Sequence, residues 1–238
     1  MAPPLSSPVK RWFGRLLKVV MVAVLVPLAV GLLLGVLAQL EVVSLSGGTF
    51  RTWMGWGFVT YVGVHLLLVR PVSLFRASHR IFSTLAVWLF GGQVASVEQS
   101  GGKGKGGAAK GEPAAQGSTL VAFSPYVVPL YAVLTCALGW LLGRWVDRAW
   151  LDGPVSFLIG ATMAFQWLMT ADELQQQRSR WHFETYLLAL GLVFVLTLLI
   201  AAACLPWAVP EFSFVQALAD GLARSQTIYM TNIHRLFL

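Results

Sequence analysis

The chain has 238 residues; 57% of them are hydrophobic, only 11% are charged, and the formal net charge is +7. A soluble domain usually carries about a quarter charged residues, so this composition excludes an ordinary soluble protein and indicates that lipid forms part of the solvent. The basic residues stand beside apolar runs and no nucleic-acid-binding motif is present. We therefore expect the charge to reflect membrane orientation, and we expect no nucleic-acid partner.

Five apolar runs predict an all-α integral membrane protein with about five to six transmembrane helices. A helix that crosses a bilayer needs about 20 residues, with roughly 17 as the lower limit. The first run, residues 19–40, follows four basic residues. It is longer than the ~7–15 apolar residues of a signal peptide, so we expect an uncleaved anchor. The other runs are residues 53–69, 120–143, 155–170 and 185–209.

A further apolar segment, residues 81–90, is too short to cross a bilayer alone. Extended back to residue 73 it reaches spanning length, but it then includes Arg76, His79 and Arg80. A charge at mid-bilayer costs at least ~2.5 kcal/mol unless it faces protein or water. We therefore expect a short or re-entrant helix, or a helix whose polar end is buried against its neighbours.

Composition along the chain separates membrane helices from a loop and a tail. The tail has apolar residues at helical spacing, which predicts an amphipathic helix that lies on the membrane or on a partner, or else packs against the protein's own spans. The predicted parts are a basic cytoplasmic N-terminus (1–18), membrane helices (19–93), a flexible loop rich in glycine and lysine (94–119), further membrane helices (120–209) and the amphipathic tail (210–238).

The positions of Lys and Arg predict a cytoplasmic N-terminus, because basic residues accumulate on the cytoplasmic side of a membrane. If the segment at 81–90 returns to its side of entry, twelve basic residues lie inside and five lie outside. If it crosses fully, the split becomes eleven against six. Charge alone therefore fixes the N-terminus and barely separates the two topologies.

Polar side chains inside the predicted spans are the candidates for chemistry, because ionisable groups are expensive in lipid. His65 lies within the second run, and Asp172 and Glu173 close the fourth. These residues are interpreted as a proton or cation site, or as a solvated helix end with local ion pairs. Cys136 and Cys204 lie in apolar runs without metal-ligand spacing, so we expect both to be buried and structural.

The segment HRIFS, which begins at His79, lacks the pattern of a zinc helix. Such a helix places two histidines one turn apart, with a glutamate beside the first as general base. Here Arg80 follows His79, and Ser83 lies one turn on. A cation repels the metal and serine is a poor ligand, so this segment alone predicts no metal site.

The wider stretch HRIFSTLAVWLFGGQVASVEQSGG runs from His79 through an apolar helix into Gly91 and Gly92, and continues as a short β-like segment. A small-residue insert follows, and then FSPYVVPLYAVL from Phe123. Over roughly residues 73–134, this order and spacing resemble the active-site region of the site-2-protease-like family of intramembrane zinc metallopeptidases. The resemblance implies the fold of a membrane metallopeptidase with one short or re-entrant helix and a glycine-rich insert.

Carried over by position, the resemblance places the family's first zinc ligand on His79, its glutamate on Arg80 and its second histidine on Ser83. A similar comparison in later segments places a histidine position on Thr162 and an aspartate position on Arg180. The ligand pair is broken and no general base stands beside it, so the resemblance implies no catalytic residue, no metal and no cofactor. The alternative is a site rebuilt around His79 from His65, Asp172, Glu173 or His182.

We therefore predict a catalytically inactive, protease-like protein of the bacterial inner membrane. It would bind a helix of another protein without cleaving it, as a scaffold or accessory subunit of a membrane complex. Its partners would be the lipid bilayer and other membrane protein subunits, and Gly91, Gly92 and the β-like segment would offer a strand-pairing edge. The alternatives are an intramembrane metalloprotease with a rearranged site and a small transporter or channel that uses His65, Asp172 and Glu173.

Overall fold

A computed structural model describes residues 8–45, 49–67, 126–176 and 183–237, together with the single positions 74, 76, 77, 81 and 84. These residues contain six main α-helices and no β-strand, which confirms the predicted all-α class. The helices are α1 (Pro8–Leu45), α2 (Phe50–Leu67), α3 (Leu130–Leu142), α4 (Arg148–Gln176), α5 (Phe183–Ala208) and α6 (Phe214–Phe237).

All six helices belong to one unit, formed by residues 1–70 and 128–238. Residues 71–127 form a second unit, and the predicted segment at 81–90, the β-like insert and the loop at 94–119 fall within it. Of the predicted site positions, His79, Arg80, Ser83, Gly91, Gly92 and Arg180 lie outside the described residues.

Among the described residues, three helices are long and apolar enough to cross a membrane, which supports the predicted integral membrane protein. They are Trp12–Ser44 within α1, Trp150–Gln175 within α4 and Phe183–Ala208, which is α5. The outer face of α1 exposes large apolar side chains, among them Val20, Val24 and Val30, as lipid contact requires. α3 is apolar but has only 13 residues, and the expected total of five to six spans stays a prediction.

Pairwise contacts set the direction of each helix. α1 and α2 run in opposite directions and are joined near their connection by an ion pair between Arg51 Nη1 and Glu41 Oε2 at 3.0 Å. α1 and α5 run in the same direction, because Lys18 Nζ donates to Thr185 Oγ1 at 2.9 Å near both starts. The face of α5 that packs on the other helices is buried, with Leu198 3% exposed.

Side-chain contacts also set the directions of α3 and α4. α2 and α4 run in the same direction, since Trp53 contacts Gly153 near both starts and His65 contacts Asp172 near both ends. α3 runs opposite to α4: the rings of Tyr131 and Phe165 are 5.4 Å apart at one end of the pair, and Gly139 meets Val155 at the other.

α6 runs antiparallel to α1 and touches it along most of its length. Gly31 and Gly35 of α1 face Gly221 and Ser225 of α6 so closely that an added Cβ at either α1 glycine would overlap the α6 backbone. Small residues one turn apart let the two backbones meet. Tyr229 also donates to the Val24 carbonyl. Of the arrangements predicted for the tail, packing against the protein's own span is the one found.

α2 and α4 also meet through glycine. A Cβ on Gly57 would overlap the carbonyl of Phe157, and one on Gly160 would overlap the carbonyl of Met54. Each glycine therefore admits the backbone of the opposite helix, which is the arrangement typical of close helix pairs in membranes. This crossing places the polar end of α2 beside the polar end of α4.

Candidate functional site

A groove of about 340 Å³ lies between α1, α2, α4 and α5. Each of these four helices supplies apolar side chains to the wall of the groove. They include Val36, Phe58, Val59, Met163, Trp167 and Leu198. Val59 is 59% exposed, so the groove opens at the surface of α2. A concave site with this lining suits an apolar ligand, or apolar side chains presented by another helix.

The position of Gly55 keeps this groove open. No atom beyond its neighbours lies within 4 Å of where its Cβ would be, so a side chain there would extend into free space. Among the residues that line the groove, Arg51 alone is charged. Its guanidinium is held at the rim by Glu41, and both side chains remain about half exposed. The groove therefore has an apolar wall and one polar edge.

A second candidate site is formed where α2 and α4 end. His65 Nε2 lies 3.4 Å from Asp172 Oδ2, which is an ion-pair distance but longer than a good hydrogen bond. The His65 side chain is 7% exposed and that of Asp172 is 24% exposed. The structure thus brings together two of the polar residues singled out in the sequence, one from each helix.

Aromatic rings enclose one side of this pair. Tyr61 lies one turn before His65, with their ring centroids 6.0 Å apart, and Tyr61 packs edge-on against Phe165 at 5.6 Å. Phe165 in turn meets Tyr131 of α3. A buried imidazole and a carboxylate at this distance can form an ion pair or contribute two ligands to a cation, and the rings cover one flank of the pair.

Thr162 and Glu173, which were also candidates from the sequence, lie apart from the contact between His65 and Asp172. The Thr162 hydroxyl donates to the carbonyls of Leu158 and Ile159 at 2.8 and 3.1 Å, so it is bonded to its own helix. Glu173 is partly buried next to Asp172 along the chain, but it has no ion pair in the described residues. Neither residue takes part in the contact between His65 and Asp172.

Sequence reasoning did not find several of these residues. Tyr61 was absent from the candidates, although its spacing of one turn from His65 puts both on one face of α2. Gly55 and Arg51 were not linked to a groove, because a groove depends on how four helices pack. Gly57 and Gly160 each stand in an apolar run, and only the crossing shows that they admit a backbone.

Comparison with protein-family models, curated proteins and solved structures finds no match to this chain. Within the described ranges, no three His, Cys, Asp or Glu side chains are grouped so that they could hold a metal ion. His79, on which the resemblance places the family's first zinc ligand, lies outside those ranges.

Proposed function

We propose that this protein binds an apolar helix of another membrane protein without cleaving it, as a scaffold or accessory subunit of a membrane complex. The observation that carries the proposal is the groove between α1, α2, α4 and α5, with its apolar wall and its opening at Val59. Side chains such as Leu or Phe on one face of a partner helix would fill it, as an amphipathic helix fills a hydrophobic groove.

The resemblance to site-2-protease-like metallopeptidases supports the same proposal. An intramembrane protease must receive a substrate helix, and a relative without the ligand pair would retain a surface for binding alone. His79, with Arg80 and Ser83 at the positions of the glutamate and second histidine, is the basis of the inactive assignment. The bacterial inner membrane and a cytoplasmic N-terminus are part of this proposal.

Photo-cross-linking from the groove tests the proposal directly. We would place p-benzoylphenylalanine at Val59 in the full chain, in the membranes of its own host, and identify the attached peptides by mass. The expected product is an intact membrane protein linked through an apolar segment. Adducts to lipid alone would count against the proposal.

Two glycine substitutions on α2 make a matched pair for this experiment. Gly55→Leu fills the groove, whereas Gly63→Leu adds the same side chain elsewhere on the same helix. At both positions no other atom lies within 4 Å of where the Cβ would be, so neither substitution causes a clash there. Gly63 does not line the groove. We expect Gly55→Leu to abolish most of the cross-link and Gly63→Leu to leave it unchanged. Equal yields from both variants would show that the partner does not enter the groove.

The same preparation separates binding from proteolysis. A cleaved partner whose fragments disappear with a chelator or with His79→Ala would establish the alternative, an intramembrane metalloprotease with a rearranged site. An intact partner whose yield is insensitive to the chelator is the result expected for a binding protein.

The contact between His65 and Asp172 favours a second candidate function, proton or cation movement by a small transporter. Ionisable residues buried in membrane helices commonly mark such pathways. Purified protein in liposomes with a pH-sensitive dye would test it. Proton flux that is lost in both His65→Gln and Asp172→Asn would support transport, and flux equal to that of empty liposomes would exclude a proton path.

A further inference from the structure

The surface of α6 that faces away from α1 carries polar residues along the length of the helix. One face of α6 is buried against α1 through Ala217, Gly221 and Ser225. Exposed polar residues of the remaining surface are Gln216, Arg224, Gln226, Thr227, Thr231 and His234. Every exposed residue of α1 between positions 19 and 40 is apolar. The two neighbouring helices therefore present different surfaces at the same level.

The depth of Arg224 makes this surface unusual. The Cβ position of Gly221 lies 2.9 Å from Leu32 Cα, and Ser225 Oγ lies 3.5 Å from the Leu28 carbonyl oxygen. Arg224 is therefore level with residues 28–32, the middle of the charge-free run at 19–40. α1 is one of the helices able to cross a membrane. Arg224 thus lies at the depth where a charge that faces lipid is most costly.

The guanidinium of Arg224 has no ion pair in the part of the chain that the structure describes. The nearest carboxylate along α6 is Asp220, one turn earlier, and it is already engaged. Its Oδ2 accepts a hydrogen bond from Gln39 Nε2 of α1 at 3.2 Å, and Gln39 is 4% exposed. Whatever covers this surface of α6 must therefore bring an anionic group to Arg224.

Two occupants fit Arg224 poorly. The hydrocarbon core is ~30 Å thick, so a residue at its middle lies ~15 Å from the lipid headgroups, which is farther than an arginine side chain extends. A second copy of this chain, inserted in the same orientation with its α6 parallel to the first, would place Arg224 opposite Arg224. Like charges in contact repel, and neither lipid phosphate nor a second copy supplies the missing anion.

We infer that α6 binds a transmembrane helix of another membrane protein, and that this helix carries an Asp or Glu at mid-bilayer that pairs with Arg224. Ionisable side chains inside membranes pair with one another, and hydrogen bonds between polar side chains associate helices in lipid. One carboxylate at that depth meets Arg224 whichever way the partner helix runs. No residue of α6 lines the groove, so this inference does not rest on the proposed function.

Designed helices test the charge pairing in the full chain. The probe is a leucine-rich transmembrane peptide with one Glu at its centre, and the matched peptide carries Gln there. Each would be added at low density to vesicles of zwitterionic phospholipid that contain the full-length protein, and binding would be read by energy transfer between fluorescent labels. We expect the Glu peptide to bind about tenfold more tightly or better, which corresponds to about 1.4 kcal/mol.

Variants of Arg224 assign this preference to one side chain. Arg224→Leu should bind the Glu and Gln peptides equally, and Arg224→Lys should keep the preference because it keeps the charge. Arg224→Glu should prefer a peptide with a central Lys, and this exchange of preference also shows that the variant folds and inserts. Arg235→Leu removes a base near the end of α6, away from mid-bilayer, and should behave as the wild type.

Cross-linking in the host membrane tests the same surface with its natural occupant. We would place p-benzoylphenylalanine at Ala223, which is exposed and adjoins Arg224. The linked peptide should be an apolar segment that contains an Asp or Glu, and Arg224→Leu should remove most of the adduct.

Four results would overturn the inference. The first is equal binding of the Glu and Gln peptides by the wild-type chain, and the second is a preference that persists in Arg224→Leu. The third is a preference that disappears when anionic phospholipid is added to the vesicles, because Arg224 would then be paired with lipid phosphate. The fourth is a host adduct that consists of a second copy of this chain or of an apolar segment without an acidic residue.

Discussion

Nε2 of His65 lies 3.4 Å from Oδ2 of Asp172, and this contact joins the last turns of α2 and α4. Asp172 has further contacts within the protein, so loss of His65 removes one of its interactions and not all of them. We expect His65→Ala to lower the free energy of unfolding by roughly 1–3 kcal/mol, as expected when a mostly buried polar group loses a partner.

A double-mutant cycle separates this contact from general effects of truncation. His65→Ala, Asp172→Asn and the double variant should be non-additive by about 0.5–3 kcal/mol in denaturant unfolding in detergent. His234→Ala, at an exposed position near the end of α6, should have little effect. Strict additivity at His65 and Asp172 would mean that the contact contributes nothing to stability.

The α2–α4 crossing predicts a strong dependence on side-chain size. Gly57→Ala and Gly160→Ala should each destabilise the protein by about 1–3 kcal/mol, because the new methyl group overlaps the opposite backbone. Gly55→Ala and Gly63→Ala introduce the same methyl group on α2 where no atom lies within 4 Å. Thermal unfolding of the four variants should therefore separate into two classes. A uniform shift would reflect helix propensity alone.

The contact between α1 and α6 predicts that Gly221→Val releases α6. The Cβ position of Gly221 is 2.9 Å from Leu32 Cα, so a branched side chain forces the helices apart. In detergent, trypsin cleavage after Arg224 needs local opening of α6, and we expect it to accelerate in this variant. Ala223→Val, at an exposed position two residues later, is the control and should keep the wild-type rate.

The two cysteines predict a labelling experiment. Cys136 is 1% exposed and Cys204 is 8% exposed, so neither thiol should react with a membrane-permeable maleimide while the protein is folded. Both should react once denaturant opens the bundle. Fast labelling of the native protein would contradict the packing of α3 and α5. Protection of both thiols in the folded protein would support the buried, structural role expected for them from the sequence.

The apolar runs predicted the described helices that they cover and missed their ends. The run at 19–40 became the centre of α1, which extends to Pro8 because the basic residues before the run continue the helix. Within the described residues, the run at 120–143 contains α3, whose first residue follows Pro129. A hydropathy pattern identifies apolar segments, but caps and prolines decide where a helix begins.

Contacts between helices could not be predicted from one sequence. His65 and Asp172 were both singled out, yet nothing in either segment indicates that α2 and α4 run in the same direction. The amphipathic pattern of the tail showed that α6 has an apolar face, but a face does not identify what covers it. The groove depends on four separate helices, so it appears only once their packing is known.

The alternating helix directions have a consequence for how the chain threads a membrane. α3 runs antiparallel to α2, so Leu67 at the end of α2 and Leu130 at the start of α3 lie at the same end of the bundle. If these helices cross, the chain leaves α2 and enters α3 from one compartment, and reporter enzymes fused after Leu67 and before Leu130 should give the same reading. Of the two topologies considered, this agrees with the one in which the chain returns to its side of entry between α2 and α3. If α2 and α3 both cross, the direction of these two helices separates two topologies that the distribution of charge left nearly even.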